Sequence, residues 1–201
     1  MNNLLVLLYI PSLILAFELP SVRQWVMTDY IPRHNRSDSP WWDNRVIHSF
    51  GNSGLGGRFH AEFAPLVTRM IDDVAYDGLD VRKDISNHIV SRMRKQNSVV
   101  AVDLGCGVGI SSNAVEKSLC DKFDNYQVYG VDTSREMIDK GRRTGSTDVI
   151  YVRDNAARHP LAHLSGKVDL VTIFFLMHEA PRIGHYEILD SAWKLLKDQG
   201  M

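Results

Sequence analysis

Hydrophobic residues recur every three or four positions in two segments between residues 58 and 97. This period is that of an α-helix with one apolar face, so two amphipathic helices are predicted there. Pro65 is expected to kink the first helix or to begin a second segment, whereas Asp80 is placed to cap the next helix, which should end near Gln96. The apolar positions are Phe59, Phe63, Leu66, Val67, Met70, Ile71 and Val74 in the first helix and Val81, Ile85, Ile89 and Met93 in the second.

From residue 98 onward, short apolar runs alternate with amphipathic segments. The runs have the length and β-branched content of buried strands, and the segments between them have helical spacing. An alternation of strands and helices predicts an α/β fold with a mostly parallel sheet. The predicted strands span residues 99–104, 127–132, 148–152 and 168–175, and the helices span residues 113–117, 134–142 and 182–197.

Three alternating glycines, Gly105, Gly107 and Gly109, come directly after the first predicted strand. Glycine is favoured where the chain turns sharply and brings bare backbone against a ligand, because a Cβ atom would block both. Ser111 and Ser112 then offer hydroxyl caps for a helix whose positive dipole end faces the loop. This strand, loop and helix predict the first half of a nucleotide-binding unit, with a loop that only turns the sheet as the alternative.

Asp132 ends the second predicted strand, beside the glycine loop. A carboxylate at the carboxyl end of a strand accepts two hydrogen bonds from a ribose diol. The gap between the loop and Asp132 is close to the roughly 20 residues expected for this role. Ribose binding is therefore predicted for Asp132, and a cap on the helix that begins at Ser134 is a second, compatible role.

The G-x-G-x-G spacing, preceded by Asp103, resembles motif I of the class I S-adenosylmethionine-dependent methyltransferases and differs from the dinucleotide fingerprint in its last step. Asp132 with Thr133 and Met137 resembles the second signature of that family. The resemblance implies a Rossmann-like three-layer sandwich that binds S-adenosylmethionine through these residues. It also implies that Asp103 orders the first turn and the methionine ammonium group. The loop residues implied to face the methionine portion are Gly105, Cys106, Gly107 and Gly109.

The residues after the third and fourth strands resemble the family more loosely. Asp154 and Asn155 fall where the family binds adenine through an acid and the next backbone amide, although a simple Asp-Asn turn is the alternative. Phe174, near the end of the fourth strand, is implied to contact the cofactor. His178 lies in a stretch similar to that of quinone-biosynthesis C-methyltransferases, where it is predicted to act as a general base, to orient the acceptor, or only to pin the loop.

Composition and charge narrow the class of ligand. The 201 residues are 44% hydrophobic, which suffices for one α/β core with an appendage. The formal net charge of -1 gives no general reason to bind nucleic acid, so a small-molecule methyl acceptor is expected. Cys106 and Cys120 fit neither a disulfide framework nor a metal site, and the histidines lack zinc-binding spacing, so no metal is predicted.

The two ends of the chain carry separate predictions. Residues 1–17 contain an uncharged apolar run, broken by Pro11 and shorter than a membrane span, which is interpreted as a targeting or anchor segment or as a helix packed on the domain. Secretory or plastid targeting, membrane association and a cytoplasmic location therefore stay open. The remaining predicted units are a linker or cap at 18–57 with Trp25, Trp41 and Trp42, a helical cap at 58–97, and a partial methyltransferase domain at 98–201 that lacks the last strands of the family.

The function predicted from these features is S-adenosylmethionine-dependent methyl transfer to a small molecule. A truncated methyltransferase-like fold that binds without catalysis is the first alternative. A nicotinamide-dependent oxidoreductase shares the strand, loop and helix but is disfavoured by the glycine spacing. The oligomeric state is not indicated by the sequence.

Overall fold

The computed structural model describes residues 53–198. The targeting or anchor segment predicted at residues 1–17, and most of the linker predicted at 18–57 with its tryptophans, lie outside the described residues. Within residues 53–198, no helix is both long enough and apolar enough to span a bilayer.

A parallel sheet forms the centre of the described chain, as the alternating pattern predicted. Its strands are β1 (Val99–Leu104), β2 (Tyr126–Asp132), β3 (Val149–Arg153) and β4 (Leu170–Thr172). They lie in the order β3-β2-β1-β4, with every pairing parallel, so β1 is hydrogen-bonded on both sides. β4 ends earlier than the predicted residue 175, because the chain leaves the sheet and turns at Phe175, which has a φ of 56°.

Five α-helices accompany the strands of the described residues: α1 (Gly54–Ala75), α2 (Val81–Arg92), α3 (Ile110–Cys120), α4 (Arg135–Thr144) and α5 (Arg182–Leu195). The predicted cap on α2 is confirmed, since the Asp80 carboxylate accepts a hydrogen bond of 3.1 Å from the Lys83 amide. Ser134 caps α4 in the same way, from the Met137 amide at 3.2 Å. α1 is one helix through Pro65, so no second segment begins there.

Two apolar clusters hold the helices on opposite faces of the sheet, which gives the expected three layers. Because alternate residues of a strand point to opposite faces of the sheet, β1 contributes side chains to both clusters. One cluster joins Val99 and Ala101 to α2, α3 and α4. The other joins Val102 and Leu104 to α5. Burying β1 on both sides fixes its carboxyl end, from which the glycine loop leaves.

The large apolar residues of α1 are exposed, although their spacing predicted the helix correctly. Their exposed fractions run from 44% at Phe63 to 85% at Val74. The buried residues of α1 are the small ones, Gly57 and Ala61. Ala61 packs against Val108 of the glycine loop and Met137 of α4. α1 therefore lies on the domain through small side chains, which bring its backbone close to the loop.

Candidate active site

The glycine loop is tied by its backbone to the end of the neighbouring strand β2. The amides of Gly105 and Cys106 both donate to the Val131 carbonyl, at 2.8 and 3.0 Å. The next amide, of Gly107, donates to the Asp132 carboxylate at 2.9 Å. Gly105 and Gly107 have φ values of 77° and 53°, which L side chains adopt only with strain. The sequence rule that glycine is needed here is confirmed by these angles.

The glycines of the loop differ in what lies beside them. A Cβ atom on Gly107 would have no protein atom within 4 Å, and Gly107 lines the pocket described below, so bare backbone faces open space there. A Cβ atom on Gly109 would lie 2.2 Å from the Tyr151 hydroxyl. Gly109 is not among the residues that line the pocket, and its predicted contact with the methionine portion stays a prediction. Its absent side chain makes room for Tyr151.

The Asp103 carboxylate is buried under the loop and surrounded by hydroxyl groups. One of its oxygens accepts from Ser111 and Ser112 at 2.6 and 2.7 Å, and the other accepts from Thr172 at 2.8 Å. Burial raises the pKa of Asp103, and the three hydroxyls oppose that shift. The predicted ordering of the first turn agrees with these bonds. Asp103 is not among the residues that line the pocket, so its predicted contact with an ammonium group stays a prediction.

The same bonds correct the prediction that Ser111 and Ser112 cap α3. Their hydroxyls point to Asp103, and the residue before the helix is Gly109, which has no side-chain cap. α3 is therefore anchored to the end of β1 by a buried carboxylate. This anchor fixes the direction in which the loop enters the helix.

Asp132 lies in the wall of the pocket and is held by two backbone amides. One oxygen accepts from Gly107 at 2.9 Å and the other from Ser134 at 2.8 Å. An ionised carboxylate oxygen accepts more than one hydrogen bond, so these two amides do not exhaust the acceptor capacity of Asp132. The helix cap itself is the Ser134 hydroxyl. Asp132 is thus an oriented acceptor at the tip of a strand, as the ribose prediction requires.

The pocket lies above the carboxyl ends of the strands, where ligands bind in open α/β sheets. Most of the predicted cofactor-binding residues line it: Gly105, Cys106, Gly107, Asp132, Thr133, Met137, Asn155 and Phe174. Burial, followed by the nearby charges of Asp132 and Asp103, raises the pKa of the Cys106 thiol, which is therefore uncharged at neutral pH. Cys106 contributes a small neutral surface to the wall.

Asp154 and His178 lie outside this wall, against expectation. Asp154 is exposed and accepts a hydrogen bond of 2.7 Å from the Asn155 amide, as in a local turn. The His178 side chain is 65% exposed and lies 3.5 Å from the Glu179 carboxylate. Glu179 lines the pocket in its place. A left-handed residue, Phe175, lies a few positions before these two, and no sequence pattern indicated it.

The pocket also contains residues that the sequence did not single out. His60, Ala64 and Thr68 of α1 cover it, and Arg82 of α2 enters from the same side. These residues precede the sheet in the chain and carry no motif. A helical spacing of four residues relates His60, Ala64 and Thr68, but the stronger apolar stripe of α1 masks this signal.

The donors and acceptors of the pocket fit a nucleoside joined to an amino acid. Asp132 offers acceptors for ribose hydroxyls, Gly107 offers bare backbone, and Arg82 offers a positive charge. Residues 53–198 contain no group of three or more His, Cys, Asp or Glu side chains placed to hold a metal ion. The pocket therefore offers a ligand hydrogen-bond acceptors, bare backbone and one positive charge.

Comparison with known proteins agrees with this chemistry. Residues 101–200 match a family model described as a methyltransferase domain. No curated protein matches the chain. One similar solved structure is a Methanococcus maripaludis protein described as an S-adenosylmethionine-dependent methyltransferase, with 14% identity over 68% of this chain and 59% of that chain and a TM-score of 0.50.

Two further solved structures share the fold. The plantazolicin methyltransferase BamL, in complex with a triazolic desmethylPZN analog and SAH, has 18% identity over 78% of this chain and 53% of its own, with a TM-score of 0.53. The CurJ carbon methyltransferase has 13% identity over 69% of this chain and 38% of its own, with a TM-score of 0.54. The chain thus spans between 38% and 59% of the length of these three structures. The similarity to quinone-biosynthesis enzymes is not among these findings and stays a prediction.

Proposed function

Because residues 101–200 belong to the class I S-adenosylmethionine-dependent methyltransferases, we propose that this chain transfers the methyl group of S-adenosylmethionine to a small-molecule acceptor. The observation that supports it most strongly is the Asp132 carboxylate, fixed by the Gly107 and Ser134 amides at the edge of a pocket. A ribose that binds there lies beside the glycine loop, and the loop offers backbone to the rest of the cofactor.

Different residues of the pocket are proposed to bind different parts of the cofactor. Asp132 accepts the ribose hydroxyls, and the bare backbone at Gly107 lets the ligand approach closely. Asn155 and Phe174 lie beyond the ends of the outer strands, where Asn155 offers polar groups to an adenine ring and Phe174 offers an apolar surface to the cofactor. Bound S-adenosylmethionine supplies a methyl group on a positively charged sulfur, which makes that carbon electrophilic. The protein contributes alignment of the two reactants, which is the main source of rate in such a displacement.

The upper wall of the pocket supports a small acceptor. α1 contributes His60, Ala64 and Thr68 to the lining, and the acceptor is proposed to bind between these residues and the loop. A net charge of -1 provides no attraction for a polyanion. The solved neighbours include a plantazolicin and a carbon methyltransferase, so the fold by itself does not select the acceptor atom.

Glu179 is the proposed proton acceptor when the attacking group carries a proton. Its side chain is 20% exposed and lines the pocket, whereas His178 is 65% exposed and does not. Replacing Glu179 by Gln keeps the shape and removes the base. We expect a lower kcat with unchanged S-adenosylhomocysteine affinity, and the matched variant His178→Gln should retain kcat. The opposite ranking of the two variants would contradict this role.

Transfer of a labelled methyl group tests the proposal as a whole. The full chain is incubated with methyl-labelled S-adenosylmethionine and a cell extract, and the products are separated into small molecules, proteins and nucleic acids. We expect label in the small-molecule fraction, and a strong loss of label with Asp132→Ala. Label in a macromolecular fraction would contradict the small acceptor. Cofactor binding without any transfer would favour a fold that binds without catalysis.

A further inference from the structure

Arg82 is buried, whereas the other lysine and arginine residues of the same helix are exposed. Its side chain is 9% exposed and lines the pocket, although it is only the second residue of α2. Lys83 and Arg92 on the same helix face solvent. Arginine is seldom buried unless it is paired, so its partners indicate what it does.

Two contacts fix the plane of the Arg82 guanidinium. Its Nη1 atom donates to both carboxylate oxygens of Asp72, at 3.1 and 3.2 Å. The guanidinium carbon lies 4.4 Å from the centre of the Phe175 ring. The hydrogen bonds described for residues 53–198 use neither Nη2 nor Nε, so N–H donors on a preorganised fork remain for a ligand.

The position of Arg82 relative to the glycine loop indicates which part of a bound ligand it contacts. Asp132 bonds to the middle of the loop, at Gly107. The start of the loop lies against the residue that follows Phe175, since a Cβ atom on Gly105 would be 2.8 Å from Leu176. Arg82, which covers Phe175, therefore lines the same pocket as the start of the loop at Gly105 and as Asp132.

The positive charge of Arg82 indicates which group of the ligand it binds. The carboxylates that line the pocket are Asp132 and Glu179, and Arg82 is the one lysine or arginine among the described lining residues. A carboxylate buried in this pocket without a cationic partner would be costly. The amino-acid portion of S-adenosylmethionine carries such a carboxylate. We propose that Arg82 binds the α-carboxylate of the methionine portion, through the N–H groups that Asp72 leaves available.

This assignment rests on the proposed function, and a pair of ligands separates it from a merely structural role for Arg82. S-adenosylhomocysteine has the carboxylate, and 5′-methylthioadenosine lacks the whole amino-acid portion. Calorimetry with the full chain measures both affinities. For Arg82→Gln we expect S-adenosylhomocysteine to bind about tenfold to a hundredfold more weakly, as for loss of a charge-assisted bond, and 5′-methylthioadenosine to bind as in the wild type.

Two further variants sharpen the test. Arg92→Gln, on the exposed part of α2, should change neither affinity. Arg82→Lys keeps the positive charge but loses the planar set of guanidinium N–H donors. It should therefore weaken S-adenosylhomocysteine binding by less than Arg82→Gln does. If Arg82→Gln does not fold, the Lys variant carries the same comparison of the two ligands.

Two results would overturn the assignment while leaving the proposed function in place. One is wild-type affinity of the Arg82 variants for S-adenosylhomocysteine, and the other is an equal loss of both ligands, which would mark Arg82 as structural. A wild-type chain that binds neither ligand would instead overturn the proposed function, and the assignment with it.

Discussion

Helices α1 and α5 share the same spacing of apolar residues, and only α5 buries them. In α5, Ile188 and Leu195 are each 0% exposed, packed in the cluster that includes β1 and β4. In α1, Leu66 is 55% exposed, and the buried positions are Gly57 and Ala61. Periodicity therefore identified both helices, but its apolar face is the packed face only in α5. α5 covers a sheet through large side chains, whereas α1 covers a loop and pocket through small ones.

The two helices should differ most in the loss of unfolding free energy when a large apolar residue is truncated to alanine. Ile188→Ala removes a fully buried side chain and should lower the free energy of unfolding by about 2–5 kcal/mol. Leu66→Ala should change it by less than about 0.5 kcal/mol, because that side chain is half exposed. Denaturant unfolding of the full chain measures both. Equal losses would show that α1 packs its large residues after all.

Enlarging a small residue of α1 should be the next most damaging change. Ala61 is 2% exposed against Val108 and Met137, so Ala61→Leu has no space and should cost about 1–3 kcal/mol of unfolding free energy. It should also weaken S-adenosylhomocysteine binding by displacing the helix from the loop. Val67→Leu, at a position that is 47% exposed, is the matched control and should affect neither quantity. A stable Ala61→Leu chain with full affinity would rule out the close contact.

A smaller effect is expected on the pH dependence of the free energy of unfolding, and it should differ between Asp103 in the sheet and Glu62 on α1. Burial raises the pKa of Asp103 above its ordinary value of 3.8. Such a group stabilises the folded state fully below the unfolded pKa, and this contribution is lost as the pH rises through the folded pKa. The stability of the wild type relative to Asp103→Asn should therefore fall as the pH rises above 3.8. Parallel pH profiles of the two chains would contradict the raised pKa.

The smallest effect belongs to Glu62 on α1, and its sign is opposite. The hydrogen bond from Lys140, together with the charges of Lys140 and Arg143, lowers the pKa of Glu62 from its ordinary value of 4.5. This contribution is present above pH 4.5 and lost as the pH falls through the folded pKa. Glu62→Gln should remove that dependence. High salt should weaken it as well, since the pair is exposed, while leaving the Asp103 effect in place. Salt-independent profiles would contradict this account.

The sequence predicted what local rules determine. The strands, the glycine loop and Asp132 follow from an apolar run, from positive φ angles that favour glycine, and from the geometry of parallel strands. Contacts between distant parts of the chain were not predictable in this way. Arg82 reaches the pocket from a helix that precedes the sheet, and no local pattern distinguishes the exposed His178 from Glu179, which lines the pocket. Asp103 was recognised, but its three hydroxyl partners come from α3 and β4, which only the fold brings together.

The central claim is that Asp132 and the glycine loop together hold the adenosyl portion of S-adenosylmethionine. The most direct measurement is a crystal structure of the full chain with S-adenosylhomocysteine. We predict both ribose hydroxyls within hydrogen-bond distance of the Asp132 carboxylate, with the amino-acid portion along Gly105 and Gly107. A ligand bound with its ribose away from Asp132 would contradict the account.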